Sequence, residues 1–123
     1  MINITQYLQD IYEDLQRYID NDVCLCKFKE LNFEAGALPD YEDINIQQLY
    51  LLRYAFAYAF EYSRMYLDVL SQMDDVNNIS VISVGCGSMI DYWSLVHALE
   101  MRRKIGCSIR YVGIDKIDWN YKI

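Results

Sequence analysis

The sequence predicts an α/β fold in which N-terminal helices are followed by a strand–helix–strand unit. Three observations predict it. Ile4, Leu8, Ile11, Leu15 and Ile19 recur at spacings of four and three, the period of one buried helix face. A long uninterrupted run, INIQQLYLLRYAFAYAFEYSRMYLDVLS, follows a proline-containing loop. Two short β-branched runs, ISVISV and SIRYVGI, then flank a stretch of helix length from Ser88 to Lys104. These features divide the chain into a lid-like helical segment over 1–75 and a βαβ unit over 76–123, small enough to form one compact domain.

Taken in order, the first helix places Asp10, Glu13, Asp14 and Arg17 mostly opposite its apolar stripe, as a surface helix packed on a core does. Around VCLCKFKELNF the period is lost, and GALPDYED brings Gly, Pro and acids together as a loop. The second helix starts near Asp43 or Asn45, both competent N-caps. It carries Tyr50, Tyr54, Tyr58, Tyr62 and Tyr66, one at every fourth position. With 3.6 residues per turn such a row drifts by about 40° per step, so part of it is buried and part exposed. The rings either pack simply or line a ligand cleft, while Leu51, Ala55, Ala59 and Tyr62 offer a smooth stripe for the second segment to lie on. QMDDVNN is a polar join, and the long connection between the two β-branched runs requires a parallel, right-handed crossover.

With 123 residues, 54% of them hydrophobic, and a single Pro, the chain can bury one core. Its net charge of −7 repels phosphate backbones, which excludes nucleic-acid binding by counterion release for this chain alone and favours a basic partner. No apolar run approaches the length of about 20 residues that a membrane span needs, and the N-terminus lacks a signal-peptide pattern. The expected location is cytoplasmic, with Cys24, Cys26, Cys86 and Cys107 reduced. Cys24 and Cys26 lack partners at metal-ligand spacing, so no metal site is expected, and His97 lies mid-helix as a weak candidate base.

The richest stretch is VISVGCGSMIDYW, residues 81–93, which reads as a strand, a glycine turn and a helix start. Gly85 and Gly87 flank Cys86 at the carboxyl end of the strand, where α/β sheets present their ligands. Ser88 and Asp91 have the spacing of a capping box. Arg102, Arg103 and Lys104 suit the far pole of the helix, with Gly106 as its C-terminal cap. Free amides at the helix start suit a carboxylate or a phosphate, and the adjacent Cys86 is the most activated-looking thiol, although a space-filling role is favoured. Ile90 occupies the third glycine position of a dinucleotide fingerprint, which argues against nicotinamide. Asp115 ends RYVGID, where an acid can accept from both hydroxyls of a ribose.

Through ISVGCGSM and YVGID the chain resembles the first part of a class I S-adenosylmethionine-dependent methyltransferase, over about residues 79–121. The resemblance implies a Rossmann-like sheet, incomplete here, that binds S-adenosylmethionine. Gly85, Cys86 and Gly87 would pass beside the methionine part of the cofactor, and Ser83 takes the family's usual acidic position. Asp115 would hold the ribose, with Asp118 as a second candidate, and Ile117, Asp118 or Trp119 would lie near the adenine. Met89 stands where the family often has a third glycine. Such a sheet has seven strands and this chain supplies two, so methyl transfer is expected only within a longer chain or complex. An open edge of ISVISV would pair with a second copy or a protein partner, or be covered by the tyrosine helix. The alternative is a small acidic interaction or inhibitor protein that keeps the scaffold without the cofactor, its tyrosines forming the contact surface.

Overall fold

The computed structural model describes residues 2–19, 39–74, 76–104 and 106–123. Cys24, Cys26, the VCLCKFKELNF segment, the start of the GALPDYED loop and Asp75 lie outside the described residues. The element order is α1 (Ile4–Ile19), α2 (Ile44–Ser71), β1 (Asn78–Val84), α3 (Ile90–Met101) and β2 (Ser108–Ile114).

The structure is mixed α/β, with three helices and a two-stranded parallel sheet among the described residues. The strands pair in register from Asn78↔Ser108 to Val84↔Ile114. In α1 the expected face is the packed one, with Leu8, Ile11 and Leu15 buried. Asp43 is the N-cap of α2, its carboxylate accepting from the Asn45 amide at 2.8 Å. The small stripe Leu51, Ala55, Ala59 is buried, and α3 packs on α2 closely enough for the Ser94 hydroxyl to reach the Ala59 carbonyl at 3.2 Å.

Two apolar clusters hold the elements together. One joins α1, the first half of α2, Ile90 and Trp119; the other joins Leu70, Leu95, Ala98 and Leu99 with Ile79, Val81 and Ile109 of the sheet. Each draws on both halves of the chain, so the helical segment and the βαβ unit share their cores. No helix among the described residues is long and apolar enough to cross a membrane.

After β2 the chain returns across the N-terminal helices as a strap. The Asn120 amide donates to Gln47 Oε1 at 2.9 Å, the Tyr121 carbonyl accepts from Tyr7 Oη at 3.2 Å, and the Ile123 amide donates to the Ser88 carbonyl at 2.9 Å. Gln47 and Gln48 are fully buried beneath it, with Gln48 Nε2 donating to Tyr121 Oη at 2.6 Å. The strap and the Tyr41 carbonyl partner Gln47 at both ends, and the strap takes the Gln48 amide nitrogen, while Gln48 Oε1 is buried without a hydrogen bond among the described residues.

Both predicted caps of α3 are corrected. Ser88 is not an N-cap: α3 is preceded by Met89 in the left-handed conformation (φ 66°, ψ 28°), without a side-chain cap. Asp91 turns instead toward the Tyr111 hydroxyl, which donates to it. Gly106 is not the C-cap either. Arg103 takes the left-handed position (φ 54°), and the amides of Arg103 and Lys104 close on the carbonyls of Glu100 and Leu99 in a Schellman motif. This ends the helix before the glycine, which instead turns the chain into β2 at φ 101°.

Candidate functional site

The carboxyl ends of both strands meet at the glycine turn. Gly85 (φ 73°), Gly87 (φ 51°) and Met89 all lie in left-handed space, so the backbone reverses at every second residue. Glycine adopts this freely, whereas the methionine carries a strain of about 1–2 kcal/mol. The Gly85 amide reaches across to the Ile114 carbonyl at 2.6 Å, locking the turn onto the end of β2.

Asp115 ties the turn down. Its Oδ2 accepts from the Gly87 amide at 2.7 Å and its Oδ1 from the Ile117 amide at 2.9 Å. The anion suited to this turn is therefore supplied by the chain itself. Each carboxylate oxygen still keeps a lone pair for a further donor.

Cys86 sits between the two strands' ends, over Gly113. A Cβ at Gly113 would lie 2.8 Å from Cys86 Sγ and 3.0 Å from Tyr111 Cε1, so only glycine admits the thiol there. Burial, then the nearby carboxylates of Asp115 and Asp91, push this thiol above its ordinary pKa. The helix start does not activate it.

Facing the turn is the tyrosine ladder of α2. Successive ring centroids from Tyr50 to Tyr62 are 5.2, 5.7 and 6.2 Å apart, and Tyr41 and Trp119 extend the aromatic wall, each 5.6 Å from Tyr50. The drift of the row is visible in its exposure: Tyr50, Tyr54, Tyr58 and Tyr66 are half-buried and Tyr62 is exposed. Burial is the main cause that raises the phenol pKa values of Tyr41, Tyr50, Tyr62 and Tyr66, so these hydroxyls stay protonated.

Between ladder and turn lies a cleft of about 480 Å³. Seven of the eight residues expected at a cofactor site line it: Ser83, Gly85, Cys86, Gly87, Asp115, Ile117 and Trp119. Asp118 does not; it is exposed and paired with Lys122 at 2.8 Å, an interaction that lowers its pKa. Met89 is also outside the lining, and its side chain does not enter the cleft wall.

Asp91 and Tyr111 are the site residues that motif reading missed. Asp91 is buried and lines the cleft, and the Tyr111 hydroxyl donates to both its oxygens, at 2.9 and 3.1 Å. Burial raises the Tyr111 phenol strongly; the Ser83 hydroxyl, a second partner, opposes the shift and Asp91 adds to it. The one signal in sequence was an acid in the first turn of the helix after the glycines.

His97 lies elsewhere, stacked on Trp93 at 5.0 Å and lining a separate groove between α2 and α3. Among the described residues no three potential metal ligands cluster. Comparison of the chain with protein-family models, curated proteins and solved structures gives no match.

Proposed function

We propose that the chain is an S-adenosylmethionine-binding, methyltransferase-like unit whose cofactor lies in the cleft between the glycine turn and the tyrosine ladder. The observation that carries this reading is the character of the cleft: two carboxylates, Asp91 and Asp115, aromatic walls, and no Lys or Arg among the described residues of the lining. Such a site repels phosphate and suits a ligand that joins a nucleoside to a positively charged group. Its size falls within the range of about 300–1,000 Å³ usual for small-molecule sites.

The residues fit the cofactor in an order set by the turn. Asp115, fixed by two backbone amides, retains lone pairs for the two ribose hydroxyls. Ile117 and Trp119 offer an apolar wall to the adenine, and Gly85 and Gly87 let the backbone run close to the methionyl part. When bound, S-adenosylmethionine supplies an electrophilic methyl carbon: the acceptor's lone pair forms the new bond while the S–CH₃ bond breaks and its electron pair returns to sulfur. This chain's contribution is orientation and exclusion of water along the tyrosine wall. The acceptor side is completed by a longer chain or a partner.

Calorimetric titration with S-adenosylmethionine, S-adenosylhomocysteine and ATP tests the reading. The two adenosyl amino acids should bind in the micromolar range and ATP should give no heat. Absence of binding at millimolar S-adenosylmethionine sinks it. Asp115→Asn, which keeps one acceptor for the turn, is a cleaner variant than Asp115→Ala, which frees both backbone amides.

A second reading, a non-catalytic interaction protein, is favoured by one observation. The sheet face away from α3 presents Ile82 (73% exposed) and Val84 (82%), paired in register with the exposed Val112 and Ile114. A contiguous β-branched patch of this kind is an interaction surface. The second edge of β1 adds to it: no strand pairs with it among the described residues, and α2 flanks it across a groove. Sedimentation of a Val112→Lys variant, which changes the patch outside the cleft lining, separates the readings: loss of an assembly with cofactor binding intact supports a contact surface beside a working site.

A further inference from the structure

We infer that Asp91 is the counter-ion for a positively charged group of the ligand, so that the cleft selects organic cations over neutral adenosyl compounds. The inference rests on the reading of the cleft as a donor site and goes beyond it by assigning a residue and a selectivity.

The charge of Asp91 is poorly balanced. Asp91 is buried, and its hydrogen-bond donor in the structure is the neutral Tyr111 hydroxyl. No ion pair among the described residues includes it. The positive pole of α3, in whose first turn Asp91 lies, offsets this charge only in part, and a largely buried carboxylate without a cationic partner remains costly.

Its other neighbours make the imbalance worse. Asp91 acts electrostatically on the phenols of Tyr62 and Tyr66 and on the Cys86 thiol, and each of these holds its proton more tightly as a result. Asp115, the second acid that acts on Cys86, adds negative charge. Among the described residues the lining holds no group that can become positive, which leaves the compensating charge to the ligand.

The geometry suits that role. Tyr111 donates to both oxygens of Asp91 and so fixes the carboxylate, which keeps lone pairs for a second donor. The tyrosine rings of α2 present π faces that attract a cation. With ribose at Asp115, the Asp91 end of the cleft is left for the methionyl part and its ammonium group.

The test is calorimetric titration of the wild-type chain and of Asp91→Asn with S-adenosylmethionine and with 5′-methylthioadenosine, which shares the nucleoside but lacks the charge and the amino acid. Asn retains an acceptor for Tyr111, and the neutral compound reports whether the cleft is still formed. Loss of a charge-assisted hydrogen bond should weaken S-adenosylmethionine by about tenfold or more, and 5′-methylthioadenosine by less than about twofold. Tyr66→Leu, on the α2 wall, should weaken the cation alone by about threefold. Equal losses for both compounds, or an unchanged affinity for S-adenosylmethionine in Asp91→Asn, overturn the counter-ion role while leaving the donor site standing. Failure of both compounds to bind the wild-type chain overturns the donor site and this inference with it.

Discussion

Replacing Gly113 by Ala tests how the end of β2 is built. The added Cβ would lie 2.8 Å from Cys86 Sγ, 3.3 Å from Cys86 Cβ and 3.0 Å from Tyr111 Cε1. Ordinary carbon contacts begin near about 3.5 Å, so the closest approach is too short by about 0.7 Å. Retreat is blocked on both sides, because Gly113 is in register with Ser83 and Cys86 is held by the turn. Overpacking of this kind costs about 2 kcal/mol, which at about 4 °C per kcal/mol lowers the melting temperature by about 8 °C. Cys86→Ala removes the nearest atom and costs less than about 1 kcal/mol, since the thiol is only half-buried. The double variant should therefore recover about 1 kcal/mol of the loss, measured by urea unfolding of the four proteins of the cycle. An unchanged melting temperature in Gly113→Ala, or a loss that persists in full in the Cys86→Ala background, would refute the packing role assigned to the thiol.

Two further outcomes follow from backbone strain and from the strap. Met89→Gly relieves a left-handed residue and offsets part of that gain through the freedom of the unfolded chain, for a net stabilisation of about 0.5 kcal/mol; Met89→Val should lose about 1–2 kcal/mol, and urea midpoints in any order other than Gly, Met, Val contradict the assignment. Gln47→Leu leaves the Tyr41 carbonyl and the Asn120 amide without their side-chain partner, at a cost of about 2–4 kcal/mol, and releases Trp119 toward water. A red-shifted tryptophan emission together with a lower melting temperature is expected, and an unchanged spectrum with unchanged stability counts against the strap.

Much of the fold was legible because its signals are local. The stripe of α1, the Asp43 cap and the β-branched runs around a helix each depend on residues within a few positions of one another. The capping of α3 was not legible, because Ser88 lies in a turn whose left-handed residues are fixed by Ile114 and Asp115 from the far end of the unit. Gln47 and Gln48 are polar residues in the first turns of α2, yet they are buried because the strap, more than seventy residues later, meets them. The cleft divides in the same way. Its glycines and Asp115 form a recognisable pattern, while Asp91 enters through a tertiary hydrogen bond from Tyr111 that no spacing rule announces.

The same division bears on the charge that the site presents. Read by itself, a glycine turn before a helix is an anion site, because its amides are unpartnered and the helix pole is positive. In the folded chain Asp115 takes the Gly87 amide, so the anion is already present and covalently attached. What remains exposed to a ligand is the negative charge of that acid, the charge of Asp91 in the first turn of α3, and the electron-rich faces of the α2 tyrosines. The sign of the site is thereby reversed relative to its local motif. A phosphate would meet two carboxylates and no cation in the lining, whereas a nucleoside bearing a sulfonium or an ammonium would meet complementary charge at one end and hydrogen-bond acceptors at the other. On the proposed reading, discrimination between S-adenosylmethionine and ATP would be set by the tertiary fold, through Asp115 and Asp91, more than by the glycines that first draw attention to the site.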